Sequence, residues 1–373
     1  METKEIGIYI HIPYCRTICP YCDFVRHPTS CNIPSRFLEA LKTEILSLPG
    51  SYSVKSVYFG GGTPSLMTSD QIAFILGVLA SRFGIRIAEF SGENLQPIEI
   101  TMEANPDDVT ASKVADWQAL GINRLSLGVQ SFSEEVLKYL GRRHDACTAV
   151  RACEIVAGIY RNWSMDLIYG ALPVETWEST LCMCKTFQPP HVSTYGLTYE
   201  KGTPFEARQD EKIEDDVSLE LYRQAERELG TYFHYEISNF AKAGFEARHN
   251  LVYWTNEEYA GFGPGAYSFL ENVRSRNEID LDKYIISPCG KSERLNLSNY
   301  EVEVETLIQH FRLARGLDKS YYERRFGHPV TMRFGEKLQV LIQRGLLVED
   351  EYAIRPTSLG FELNNEIGLV LVD

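Results

Sequence analysis

"IGIYIHIPYCRTICPYCDF", from Ile6 to Phe24, is the stretch on which the fold turns. Its first half alternates: Ile6, Ile8, Ile10 and Ile12 fall on one face, Gly7, Tyr9 and His11 on the other, the period-2 signature of a β-strand. Its second half is a loop carrying Cys15, Cys19 and Cys22 at the spacing C-x3-C-x2-C, with no fourth cysteine nearby. Closed structural zinc sites take four protein ligands. The residues alone therefore leave three readings: buried cysteines, zinc completed by a distant histidine, or an iron–sulfur cubane held by three thiolates with one iron open to another ligand.

The alternation recurs outward along the chain. Strand-like segments fall at Val54–Phe59, Ile98–Glu103, Arg124–Gln130, Ser164–Tyr169 and His191–Leu197. Helical patterns lie between them: "SRFLEALKTEILSL" with Ser35 as its cap, Ile72–Ala80 behind Ser69, Asp70 and Gln71, then Ala111–Leu120, Glu134–Leu140 and Cys147–Ile159. Alternating β and α elements predict a parallel sheet with helices outside it. In "IEITMEANP", Ile98, Ile100 and Met102 oppose Glu99, Thr101 and Glu103. In "RLSLGVQSF", Leu125, Leu127 and Val129 oppose Arg124, Ser126, Gly128 and Gln130. In "SMDLIYG", Met165 and Leu167 oppose Ser164, Asp166 and Ile168. Polar groups gathered at the C-terminal ends of parallel strands mark the active face of an α/β barrel. Six strands predict a partial (β/α)6 TIM-type barrel with a wide mouth.

The 373 residues carry 51 acidic and 37 basic side chains, a net charge of −14, which argues against a general polyanion binder. The longest apolar run, Ile72–Ala80, is far short of a membrane span. The N-terminal residues show neither a secretory h-region nor an Arg-rich transit pattern, and nine cysteines, an odd number, suit a reducing compartment better than a disulfide framework. The expected location is the cytoplasm. After the barrel-like part, residues 1–210, the pattern changes. "DEKIEDD", Asp210 to Asp216, reads as a solvated helix start, and residues 211–298 read as a β-containing extension completing the barrel side, aromatic and Gly-rich from Tyr232 to Phe269. Residues 299–373 run helix, turn, helix, helix and hairpin, like a winged helix, but the acidic balance argues against DNA as its partner. Cys182 and Cys184, in a helical stretch, are expected to be buried small side chains.

"YFGGGTPS", Tyr58 to Ser65, places three consecutive glycines at the end of the second strand. Alone it reads equally as a plain turn or as a loop that lets a ligand approach the backbone. It coincides, however, with Glu103, Gln130 and Asp166 at later strand ends and with Arg142 after them. Each acid alone could be a rim salt bridge; together the four could bind an amine, a ribose diol and a carboxylate.

C-x3-C-x2-C with Tyr21 before the last cysteine, GGGTP, EANP, GVQSF and DLIYG together resemble radical S-adenosylmethionine (SAM) proteins of the oxygen-independent coproporphyrinogen III oxidase type, over essentially the whole chain. The resemblance implies a [4Fe-4S] cluster on Cys15, Cys19 and Cys22, with SAM completing the fourth iron. It implies SAM contacts at Tyr9, Gly61, Gly62, Thr63, Glu103, Gln130, Arg142 and Asp166, with weaker matches at Gly196 and Tyr267. Three features point to the heme-chaperone branch of that family. Phe24 stands where the oxidases carry a further cysteine, the motif strand begins at Ile6 without the oxidases' N-terminal extension, and "HNLVYW", His249 to Trp254, matches the HNxxYW motif associated with heme. The resemblance thus implies a heme carrier in porphyrin metabolism that delivers to acceptor proteins such as respiratory cytochromes, with His249 as a candidate heme contact and with no nucleic-acid partner; a homodimer is allowed. The alternative it leaves is an enzyme that oxidatively decarboxylates coproporphyrinogen III. One departure is "DLIYGALPVET", Asp166 to Thr176, where relatives read DLIYGLPGQT.

Overall fold

The computed structural model describes residues 4–30, 32–85 and 98–372. Six strands, β1 (Lys4–Ile12), β2 (Tyr52–Gly61), β3 (Glu99–Ala104), β4 (Arg124–Gln130), β5 (Trp163–Tyr169) and β6 (His191–Gly196), lie parallel in that spatial order. Between them run α1 (Ser35–Ser47), α2 (Ser69–Phe83), α3 (Ala111–Ala119), α4 (Glu134–Tyr139), α5 (Ala146–Ile159) and α6 (Trp177–Phe187). The alternation read from sequence is the alternation observed. Ile6, Ile8, Ile10 and Ile12 are buried, as are Ile100, Met102, Leu125, Leu127, Met165 and Leu167, all in one core with Phe37, Leu41, Ile75 and Leu79 from the helices. Burying that apolar face leaves the polar face of every strand turned toward the barrel interior.

The sheet extends beyond the six strands. After α7 (Asp215–Glu228) come β7 (Phe233–Glu236), β8 (Asn239–Ala241), α8 (Arg248–Trp254), β9 (Tyr259–Phe262), β10 (Tyr267–Leu270), β11 (Val273–Asn277), α9 (Leu281–Ile286) and β12 (Lys291–Asn296). β9 pairs parallel with β1 and is a seventh parallel strand; β10, β11 and β12 continue that edge antiparallel. β8 and β7 close the other edge beside β6. Among the described residues the sheet has twelve strands.

Glu44 of α1 ties the helical layer to this extension. Its carboxylate accepts from the Gly263 amide at 2.8 Å, Asn277 Nδ2 at 2.7 Å and the Tyr284 hydroxyl at 2.8 Å, with Lys291 Nζ at 3.5 Å. Burial pushes its pKa up to about 7.

Three local expectations are corrected. Pro34 precedes α1 and Ser35 makes no cap, so this helix starts on proline geometry. α2 is capped one residue earlier than expected, by Thr68, in a reciprocal capping box with Gln71. Cys184 is buried, but Cys182 faces solvent on α6.

The C-terminal part, α10 (Asn299–His310), β13 (Leu317–Asp318), α11 (Lys319–Phe326), α12 (Thr331–Gln343), β14 (Leu347–Glu349) and β15 (Ala353–Pro356), has the winged-helix order, with a three-stranded sheet β13-β15-β14. Its core of Leu307, Phe311, Tyr322, Phe334, Leu341 and Ile354 is its own. Arg325 holds it to the barrel side by donating to the Thr255 and Asn256 carbonyls. Among the described residues no helix is long and apolar enough to cross a membrane.

Candidate functional site

A cavity of about 470 Å³ opens at the C-terminal ends of the parallel strands. It brings together eleven of the residues singled out from sequence: Cys15, Cys19 and Cys22 from the first loop, Gly61, Gly62 and Thr63 from the second, and Glu103, Gln130, Arg142, Asp166 and Gly196.

The cysteine loop is pinned at its base, where Tyr14–Cys15 pairs with His27–Pro28. Within it the Cys22 amide donates to the Cys19 carbonyl at 3.1 Å. The glycines explain how the second loop reaches it. Gly61 has φ +105°, and a Cβ there would lie 2.4 Å from the His11 ring; a Cβ on Gly62 would lie within 2.8 Å of backbone atoms of Ile12, Pro13 and Tyr14. Only bare backbone fits so close. Thr63 then donates to Cys15 Sγ at 3.4 Å, while Arg142 Nη1 approaches Cys19 Sγ at 3.5 Å. Burial pushes the Cys15 thiol up and the Cys22 thiol up to about 11. Such thiols ionise when a metal sits against them, and hydrogen-bond donors aimed at sulfur are what a cluster's outer shell supplies. The donor set fits an iron–sulfur centre. Among the described residues no three His, Cys, Asp or Glu side chains converge on the point a single ion would occupy.

Across the cavity stand two carboxylates. Glu103 accepts from the Tyr58 hydroxyl at 2.9 Å and the Gly61 amide at 3.2 Å; burial, with the Asp166 charge adding, pushes its pKa up to about 7. Asp166 accepts from Ser126 Oγ and Ser164 Oγ, both at 2.7 Å. Ser164 in turn meets His191 Nδ1 at 2.8 Å, whose Nε2 meets the Tyr235 hydroxyl at 2.9 Å. Arg142 is fixed by Asn105 Oδ1 at 2.6 Å and the Gly128 carbonyl at 3.0 Å. Gln130 ends β4 in the left-handed region, φ +65°. A cationic ligand with a free carboxylate and hydroxyls finds complementary groups here, beside the thiols.

Three sequence candidates fall outside the cavity lining. Tyr9 lies behind it, stacked on Tyr58 with ring centroids 6.2 Å apart and bonded to His11 Nδ1 at 3.1 Å. Tyr267 stands partly exposed on β10, under Arg276. His249 is 1% exposed, with Nδ1 on Ser56 Oγ at 2.9 Å and Nε2 on the Tyr253 hydroxyl at 2.8 Å. Burial, with the Arg124 charge adding, lowers its pKa to about 3, so the ring is neutral. As placed, neither ring nitrogen is open to an iron atom. Its neighbour Asn250 lines the cavity instead. Sequence reasoning missed Asn250, Tyr58 and Arg124 as lining residues; Arg124 was on the inward face of its strand by simple alternation. Phe24, 60% exposed, sits at the rim. The altered loop after Asp166 packs Ala171 with Ile168, Val136 and Leu140, against Tyr21 of the cysteine loop.

Residues 9–181 match the radical SAM superfamily and residues 297–363 the HemN C-terminal domain. Heme chaperone HemW of Lactococcus lactis is 32% identical, over 98% of this chain and 97% of its own. Heme chaperone HemW of Escherichia coli is 37% identical over 72% of this chain and 71% of its own. Among solved structures, the coproporphyrinogen III oxidase HemN of Escherichia coli, a radical SAM enzyme, superposes with a TM-score of 0.84 at 22% identity, covering 99% of this chain and 90% of its own.

Proposed function

Because the chain belongs to the HemW family of radical SAM proteins, we propose that it binds heme and hands it to acceptor proteins. The observation carrying this reading is similarity along the full length to proteins named heme chaperones, at 32% identity over 97% of the relative. The likeness to the oxidase is one of fold.

On this reading Cys15, Cys19 and Cys22 hold a [4Fe-4S] cluster, which when bound supplies one-electron chemistry and an iron with an open coordination position. Thr63 and Arg142 donate toward the sulfurs that carry its charge. Glu103, Gln130, Arg142 and Asp166 orient SAM, with Gly61, Gly62 and Gly196 giving it access to the backbone; Tyr9 acts through Tyr58. Ser126 and Ser164 orient the Asp166 carboxylate toward the ligand. His249 supports the wall beneath Tyr58, and Asn250 is the motif residue that meets a ligand. Residues 1–210 serve the cofactors, 211–298 carry the heme motif and 299–373 the winged helix. The protein works in the cytoplasm, where a reducing pool keeps its thiols free.

The test loads the anaerobically reconstituted protein with heme and adds an apo-cytochrome. Stoichiometric loading followed by heme appearing on the cytochrome is expected. No loading, or heme that never leaves, overturns the proposal.

A further inference from the structure

Arg124 opens β4 and points into the barrel interior. It is 2% exposed, yet it lines the cavity. Its Nε has no hydrogen-bond partner, and no hydrogen bond or ion pair among the described residues holds its guanidinium. The contrast with Arg142 is sharp, since that guanidinium is fixed by Asn105, the Gly128 carbonyl and Cys19. The buried carboxylates on the neighbouring inward faces bond other groups, Glu103 to Tyr58 and Gly61, Asp166 to two serines and Glu99 to the Arg248 and His249 amides, and none bonds Arg124. Its charge bears on His191 and His249, which burial keeps unprotonated, and on the tyrosines Tyr58 and Tyr235. A buried guanidinium without an anion is costly, whereas one awaiting a carboxylate offers a planar fork for two parallel hydrogen bonds.

Its position says which carboxylate. Arg124 lies six residues upstream of Gln130 on the same strand, roughly 20 Å at ~3.3 Å per residue, and so at the floor of the cavity, away from the cysteine loop. A ligand anchored by its amino-acid end at the cysteines does not place that carboxylate on Arg124. The floor is also where the "HNLVYW" helix meets the barrel, with His249 in the field of Arg124 and Asn250 on the cavity wall.

We propose that Arg124 is an anion-binding residue at the cavity floor and takes a propionate carboxylate of the tetrapyrrole. The proposal rests on the heme-carrier reading above. The experiment titrates the reconstituted full chain, as wild type, Arg124→Met and Arg124→Lys, with heme and with heme dimethyl ester, whose propionates are blocked, and measures SAM affinity alongside. The wild type is expected to prefer heme over the ester at least about tenfold, Arg124→Met to bind the two alike, and Arg124→Lys, which keeps the charge but loses the fork, to fall between. SAM affinity stays unchanged throughout. If Arg124→Met does not fold, the graded loss in Arg124→Lys carries the test. A preference that survives in the variants overturns the assignment, as does a loss of SAM affinity with heme affinity intact, which would make the bound carboxylate SAM's. Wild type that binds heme without preferring it to the ester sinks the Arg124 assignment alone; wild type that binds neither sinks the heme reading as well.

Discussion

Glu44 and Glu103 are two buried carboxylates that burial pushes to the same place, about 7, and they do opposite work. Glu44 is closed in on itself: an amide, an amide side chain, a phenol and an ammonium from the extension surround it, and it does not line the cavity. Glu103 has two donors, Tyr58 and Gly61, both on its own side of the barrel, and its remaining lone pairs face the cavity. A raised carboxylate is thus no guide to function by itself; what separates the two is whether the structure has left acceptor capacity unused.

Four changes sharpen or break that contrast. The largest effect is expected at the metal side of the cavity: Cys19→Ala should abolish the cluster's visible absorbance after anaerobic reconstitution, and a full cluster in the variant would mean that another cysteine serves. Next, Glu44→Ala should lower unfolding stability by about 3–5 kcal/mol, because it strands Asn277, Tyr284 and Lys291 around a lost partner. Denaturant unfolding measures it, and SAM affinity should be untouched below the transition. If Glu44→Ala instead costs less than about 1 kcal/mol, the latch is not structural.

Glu103→Gln should reverse the pattern, with stability held to within ~1 kcal/mol and SAM affinity down by about 10- to 100-fold, the loss of a charge-assisted contact. The pH dependence follows from the same carboxylates. Each has a folded pKa raised above the ordinary value, so folding takes up protons and the contribution is fully present at low pH and lost as pH rises from about 4.5 through about 7. SAM affinity should run the other way, strengthening as pH rises through about 7 and Glu103 ionises; Glu103→Gln should flatten that profile in calorimetric titrations. A profile unchanged by the substitution would remove Glu103 from the binding role. The smallest effect is expected at His249→Ala, which should leave the visible spectrum of bound heme unaltered, since Ser56 and Tyr253 already occupy both ring nitrogens. A shifted spectrum would show that the imidazole reaches iron after all.

The strands were legible because each buries one face in the helical layer, so that alternation such as Leu125, Leu127 and Val129 against Ser126, Gly128 and Gln130 survives in sequence. The seventh parallel strand was not. Tyr259–Phe262 is four residues long and buried on both sides, which erases the period-2 signal. The thiols, the glycine loop and the two carboxylates could be found from spacing and strand ends. His249 lies apart from the cavity lining because a motif names residue types but not which way a helix turns them: α8 presents Asn250 to the cavity while His249 packs onto Ser56 and Tyr253. Arg124 was visible as inward-facing, but its lack of a partner is a property of packing that only the folded arrangement supplies.

The central claim is that the cavity serves heme delivery with the cofactor set of a radical SAM protein and not porphyrinogen oxidation. The direct measurement supplies the anaerobically reconstituted protein, in parallel, with heme and with coproporphyrinogen III, SAM and a reductant. Stoichiometric heme binding with no formation of protoporphyrinogen is the predicted result; SAM-dependent appearance of protoporphyrinogen would contradict it.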